Sequence, residues 1–211
     1  MQEQLNEIIR RVEELHTYCM QIKNSSEQPT SVENRFEISC SRVLSDVIEG
    51  GFVDHPEDNG GPTNRGVTLN TARQVYGPDY SVNELKNLTE NQAKGIYKSL
   101  YWNPVCADQL AVGIDCFVFD CAVHSGVGQA SRWLQRVVGA AEDGKVGPIT
   151  IEKHDKFVKT QGPVKMLQYL VDRRMSFLRS LSDWEHFGKG WTNRVEMMYE
   201  WCLGDIHKHS V

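Results

Sequence analysis

The sequence predicts a mainly α-helical domain with one small β excursion after its first domain helix, and three observations carry that prediction. Apolar residues recur at steps of three and four along most of the chain, the spacing that gives a helix one buried face. Helix-start signals precede some of those stretches; in Thr89-x-x-Gln92 the hydroxyl can accept from a free N–H of the first turn while the amide reaches back. Residues 52–68, by contrast, are rich in Gly, Pro, Asn and Asp and can hold little more than a short hairpin and loops. No convincing internal repeat or alternating strand set competes with the helical period.

The elements follow in order. Residues 2–24 read as one amphipathic helix, because Leu5, Ile8, Val12, Leu15, Cys19 and Ile22 make an a/d seam over about three heptads. That seam fits either docking onto the neighbouring domain or self-association. Its four Glu against two Arg and one Lys do not suit a membrane-disrupting basic helix. A polar linker, Asn24–Ser31, leads to the main domain, where Asn34 with Glu37 reads as a capping box. Cys40, Val43, Leu44, Val47 and Ile48 form the first domain stripe, stopped by Gly50-Gly51. Helix resumes after Thr68, and the helix capped by Thr89 is ended by Pro104. Leu110, Ala111, Ile114, Phe117, Val118, Cys121 and Ala122 place apolar residues on most sides of the next helix, which predicts a central, buried element. Further helices are expected around 133–138, 149–158, 164–181 and 192–206. The expected organisation is therefore 1–31 as helix and linker, 32–125 as the main region and 126–211 as a helical region packed into the same globule.

With 211 residues, 40 % of them hydrophobic and 24 % charged, the chain is long and apolar enough for a sizeable core. No apolar run approaches the roughly 18–20 residues of a membrane span, so stable membrane insertion is not expected. A net charge of −5, from 23 Lys+Arg against 28 Asp+Glu, gives no support to nucleic-acid binding. The six cysteines lack zinc-knuckle spacing and fall mostly on helix-facing positions, which suits buried free thiols in a reducing cytosol. No His-x3-His pair with an intervening Glu lies on a helix, and no phosphate-cradling loop is visible; neither metal nor organic cofactor is expected. A zinc amidase and a Cys–His hydrolase, the latter with Cys106 as its one thiol near a loop, therefore fit poorly.

The chemistry concentrates between Glu49 and Thr68. Glu49 ends the first domain helix, where the negative end of the helix dipole and partial burial both favour a protonated carboxyl. A general acid near neutral pH needs that state, and stability alone would have preferred Lys or Arg there. Nine residues on lies Asp58, and five further Thr63. A helix end followed by a hairpin can fold the three into one cleft, as glycoside hydrolysis requires of an acid and a second carboxylate. Asp58-Asn59-Gly60 is also an ordinary turn sequence, so Asp58 has a purely structural alternative.

The run EGGFVDHPEDNGGPTNRGVT resembles the signature of glycoside hydrolase family 108, muramidases of the lysozyme superfamily found in phages and bacterial secretion systems. The likeness continues through FDCAVHSGVGQASRWLQRVVG, EDGKVGPIT and FLRSLSDWEHFGKGWTNRV, covering about residues 36–200. It implies a lysozyme-like helical fold and hydrolysis of the β-1,4 bond between N-acetylmuramic acid and N-acetylglucosamine. It also places the family's catalytic glutamate on Glu49. The Glu–Asp–Thr order is similar to phage-type lysozymes, which adds Asp58 and Thr63 as catalytic candidates. His55 and Asn64, in the same run, and Trp102 and Asn103, at the end of a helix, are the substrate-binding candidates, with Trp102 as plain core the alternative. Trp133 to Thr150 is similar to small helical peptidoglycan-binding modules, although Trp133 and Leu134 are core by spacing.

Two features depart from the family. His124 stands where Asn is usual, and residues 1–31 are not covered. The rival readings are a lytic transglycosylase, which would need Glu49 but no water-holding Asp58, and a non-catalytic wall-binding or virion protein. The expected partner is peptidoglycan. The expected setting is endolysin-like: synthesis in the cytoplasm without a signal peptide, then holin-type release or dedicated export. Because protein and wall polymer are both anionic, contact is expected to use Arg65, Lys94, Lys98, Arg132 and Arg136 and to weaken with salt.

Overall fold

The computed structural model describes residues 32–48, 51–54 and 61–209, with the backbone alone at 32–34 and 45–48. The expected helix at 2–24 and its linker lie outside the described residues, as do Glu49, His55 and Asp58. The chain divides after Glu33, and the described residues from Asn34 onward belong to one compact unit. No described helix is long and apolar enough to cross a membrane.

The first helix, α1 (Val32–Ile48), buries Phe36, Cys40, Val43 and Leu44, a stripe at i, i+4, i+7 and i+8. Its backbone is helical from Val32, two residues before the start expected at Asn34. Glu37 faces outward and pairs with Lys94, Nζ to Oε2 3.0 Å, a partner 57 positions away that local pattern could not reveal. Arginines on the flanks of α1 tie it down. Arg35 donates to the carbonyls of Leu110 (3.1 Å) and Asp108 (2.9 Å). Arg42 makes a two-pronged pair with Asp205 and lies 5.8 Å from the Trp201 ring.

The β excursion is a two-stranded antiparallel hairpin, β1 (Thr63–Asn64) and β2 (Val67–Thr68), with Thr63 opposite Thr68 and Asn64 opposite Val67. Its two-residue turn has positive φ at both positions, Arg65 at 50° and Gly66 at 70°, as a type I′ turn requires. Glycine adopts that freely; Arg65 does so at a cost, and its Nε donates to the Leu88 carbonyl at 3.1 Å.

Three short helices follow: α2 (Leu69–Tyr76), α3 (Val82–Lys86) and α4 (Glu90–Tyr97). Thr68 caps α2, and complete capping boxes start α3 (Ser81 with Glu84) and α4 (Thr89 with Gln92). A π turn, Lys98–Trp102, extends α4 to just before Pro104, and a 3-10 turn spans Ala107–Gln109.

The axis of the fold is α5 (Ile114–Ser125), in which every residue from Ile114 to Ala122 is buried. Its neighbours are the π and 3-10 turns, α6 (Val127–Val138), α8 (Pro163–Arg179) and α9 (Trp184–Lys208). Leu110 and Ala111, expected within this helix, precede it. Gly113 at φ 83° interrupts the right-handed path, although Leu110 is still buried. The remaining helix, α7 (Pro148–Gln161), and α8 each start with proline, which suits a first turn that needs no N–H donor. Trp133 of α6 is core, edge-on to Phe177 at 5.4 Å.

Candidate active site and an ionic cluster behind it

Thr63 is the one catalytic candidate among the described residues, and its surroundings explain how the segment folds back. Val53 and Thr63 exchange backbone hydrogen bonds, each 2.8 Å, forming an isolated bridge. That bridge closes the stretch of chain in which Asp58 lies and sits four residues beyond Glu49 in sequence. The Thr63 hydroxyl donates to the Gly61 carbonyl at 3.0 Å, leaving its oxygen able to accept from a water. Leu69 N–H donates to the Pro62 carbonyl at 2.9 Å, so the base of the loop is held from α2 as well.

Two substrate-binding candidates have other work. Asn64 is 5 % exposed, and its amide donates to the carbonyls of Leu85 (2.8 Å) and Lys86 (3.1 Å), pinning the hairpin to the open end of α3. Trp102 is fully buried. Its indole N–H donates to Asp108 Oδ1 at 2.7 Å, and its ring lies edge-on to Phe36 (5.3 Å) and Phe119 (5.5 Å). A ring enclosed in this way offers no face to a sugar, so Trp102 is core. Asn103 is exposed beside it. Of the expected basic contacts, Lys94 is paired with Glu37 and Glu90, and Arg136 with Glu142 at 2.8 Å; Arg132 is exposed.

Behind α1 lies a cluster on which the motifs are silent. Asp120, fully buried on α5, accepts from Arg174 of α8 and from Arg194 of α9, whose Nε and Nη2 approach Oδ1 to 3.0 and 2.7 Å. Arg194 Nη2 also donates to the Val43 carbonyl at 2.9 Å. Burial pushes the Asp120 carboxyl up, but Arg174, Arg194 and His124 outweigh it and hold the group below the usual range. His124 stays 38 % exposed, with Nε2 3.7 Å from Asp120; loss of solvation on its covered side lowers the imidazole to about 4 against the pull of that carboxylate. The one signal in the sequence was an aspartate between apolar residues in the middle of a buried helix.

A second buried carboxyl, Asp115, is raised by burial to about 6, against the pull of Arg35, whose Nε is 3.4 Å away. Cys40, Cys116, Cys121 and Cys202 are free and buried, and burial raises the Cys40 and Cys121 thiols to about 12, far from nucleophilic thiolates. Among the described residues no group of three or more His, Cys, Asp or Glu is placed to hold a metal ion.

A buried central helix, helices packed round it and one small hairpin after the first helix define a mainly α, lysozyme-like fold. Residues 44–126 match the family model described as Glycosyl hydrolase 108, and residues 129–196 the model described as Predicted Peptidoglycan domain. Among solved structures, the chain is similar to SagA of Brucella abortus, with 37 % identity and a TM-score of 0.71 over 85 % of this chain and 99 % of that one. No curated protein matches. The chain belongs to glycosyl hydrolase family 108, and it is a glycoside hydrolase acting on peptidoglycan.

Proposed function

We propose that the chain is an N-acetylmuramidase, cleaving the β-1,4 bond between N-acetylmuramic acid and N-acetylglucosamine in an endolysin-like role at the wall. The reading is supported by the match of residues 44–126 to the hydrolase family, a stretch that holds Glu49, Asp58 and Thr63, and by the Val53–Thr63 bridge, which joins the two ends of the run containing Asp58. Glu49 gives its proton to the glycosidic oxygen as the bond to the anomeric carbon breaks. A water held by Asp58, and accepted by the Thr63 oxygen, attacks that carbon and passes its proton to Asp58. The anomeric centre inverts. No cofactor enters the sequence, and the protein reaches the wall by holin-type release or dedicated export, the route of the phage-type resemblance.

Glu49→Gln tests the assignment. We expect the lytic rate on a wall suspension to fall more than about a hundredfold, the scale of losing a general acid, with the thermal unfolding profile unchanged. Clearing at near wild-type rate would remove Glu49 from the mechanism. Mass spectrometry of the wild-type products should find muramic acid reducing ends. A 1,6-anhydro sugar would establish a lytic transglycosylase instead.

A further inference from the structure

The mechanism above makes no use of a basic face on the segment matched to the peptidoglycan domain. Residues 129–196 carry twelve Lys and Arg against eight Asp and Glu, whereas the rest of the chain carries eleven against twenty. A net acidic protein thus concentrates its positive charge in that segment. Part of it gathers on one surface. Glu142 accepts from Arg136 of α6 at 2.8 Å and also feels the charges of Arg173 on α8 and Arg132 on α6. All three arginines are exposed, and neither Arg132 nor Arg173 makes a hydrogen bond or salt bridge among the described residues. Arg132 and Arg136, four apart on one helix, repel each other, so helix stability does not account for the set.

Arg132 is also seated. A Cβ on Gly144 would lie 3.2 Å from its Cζ, and one on Gly128 3.4 Å from its Nη1, so the guanidinium rests against two glycines. Gly144, at φ 78°, belongs to a loop fixed from beneath by Gln135, which is 1 % exposed. Gln135 Oε1 accepts from the Gly144 N–H at 2.9 Å, and Nε2 donates to Asp143 Oδ1 at 2.6 Å and to the Lys145 carbonyl at 3.0 Å. A buried amide therefore holds a surface loop, and the loop supports an arginine whose own donors are free. A cation held in place before it meets its partner loses less freedom on binding.

We propose that Arg132 and Arg173, with Arg136 beside them, form a docking face for the free carboxylates of peptidoglycan stem peptides. The planar fork of a guanidinium matches a carboxylate, and charge complementarity selects the peptides, because the N-acetylated sugars to which they are linked carry no charge. The inference rests on the reading of the chain as acting on peptidoglycan and names the part of the polymer that this segment holds. Of the five basic residues that the sequence offers for wall contact, Arg132 is kept as a free donor; Arg173, on a different helix, joins it only through the fold.

The test uses the full chain and purified peptidoglycan sacculi, either native or with their carboxylates converted to amides by carbodiimide and ammonia. Cosedimentation in the cold reads binding. Wild-type protein should bind native sacculi, less as salt rises, and amidated sacculi at least about tenfold more weakly. Arg132→Glu combined with Arg173→Glu should lower affinity for native sacculi at least about tenfold. Arg132→Gln with Arg173→Gln is the milder pair; it should lower affinity too, and serves if the first fails to fold. Lys156→Glu with Lys159→Glu, both exposed on α7, changes the charge of the same segment equally and should bind as wild type does. Equal losses in the two reversal pairs, unchanged binding by both arginine pairs, equal binding to native and amidated sacculi, or no binding at all would each overturn the proposal. Release of muramic acid reducing ends is followed separately in the warm. If wild-type protein releases none, the muramidase reading fails and cosedimentation still decides this face. If it releases them while the arginine pairs bind normally, this face alone fails.

Discussion

Asn64 and Trp102 are residue types that commonly meet sugars, and both are committed inside the protein. Asn64 reaches carbonyls 21 and 22 positions away, and Trp102 finds Asp108. Residue type alone could not separate these roles, since an amide or indole binds whichever acceptor the fold presents. His124 yields to a sharper test. Its imidazole falls from the usual 6.5 to about 4, so between those values the unfolded chain binds the proton more readily than the folded one. The penalty is complete below the folded value and vanishes above the unfolded value; stability contributed by this group therefore rises with pH across the window. His124→Asn should flatten the rise of the urea unfolding free energy over that range, with Asp120 and the arginines left in place. An unchanged slope would mean that the ring is solvated in the folded state.

Helix α5 is held by what surrounds it, and at Gly113, just before its first turn, α9 approaches closely. A Cβ there would lie 2.6 Å from the Cys202 carbonyl oxygen and 2.8 Å from Ile206 Cγ1, on a backbone with φ of 83°. The shortest of these contacts is with backbone, so a rotamer change at Ile206 cannot relieve it. Gly113→Ala should cost about 3 kcal/mol or more, combining left-handed strain with overpacking. Gly190 on α9 is the control: nothing lies within 4 Å of its Cβ position, and Gly190→Ala should stabilise by about 0.5–1 kcal/mol through helix propensity. Chemical unfolding of the two variants checks both signs. The capping boxes of α3 and α4 are readable because their parts lie three residues apart. Glu37 shows the limit of that reading, since its partner Lys94 lies 57 positions away.

Across the whole molecule, the hydrolase and peptidoglycan segments meet where α5 passes into α6, and Asp120 bonds from the first to Arg174 and Arg194 of the second. That bonding makes the two matched segments parts of one core. The a/d seam in residues 2–24 remains a separate matter, and we propose that it serves self-association. Removing residues 1–31 should lower the oligomeric state seen by sedimentation more than it lowers turnover on soluble wall fragments. Two monomers at tens of micromolar would refute that role. The sequence by itself determined the helical class, the hairpin after the first domain helix, a central buried helix among Leu110–Ala122 and, through its motifs, the family. Those features rest on periodicity, turn chemistry and caps, all written within a few residues. Tertiary structure alone decided that Trp102 and Asn64 face inward, that α5 starts at Ile114, and that two arginines converge on one aspartate from 54 and 74 positions away. Each depends on which distant group fills a hydrogen bond or a charge, and only the packed fold chooses that partner.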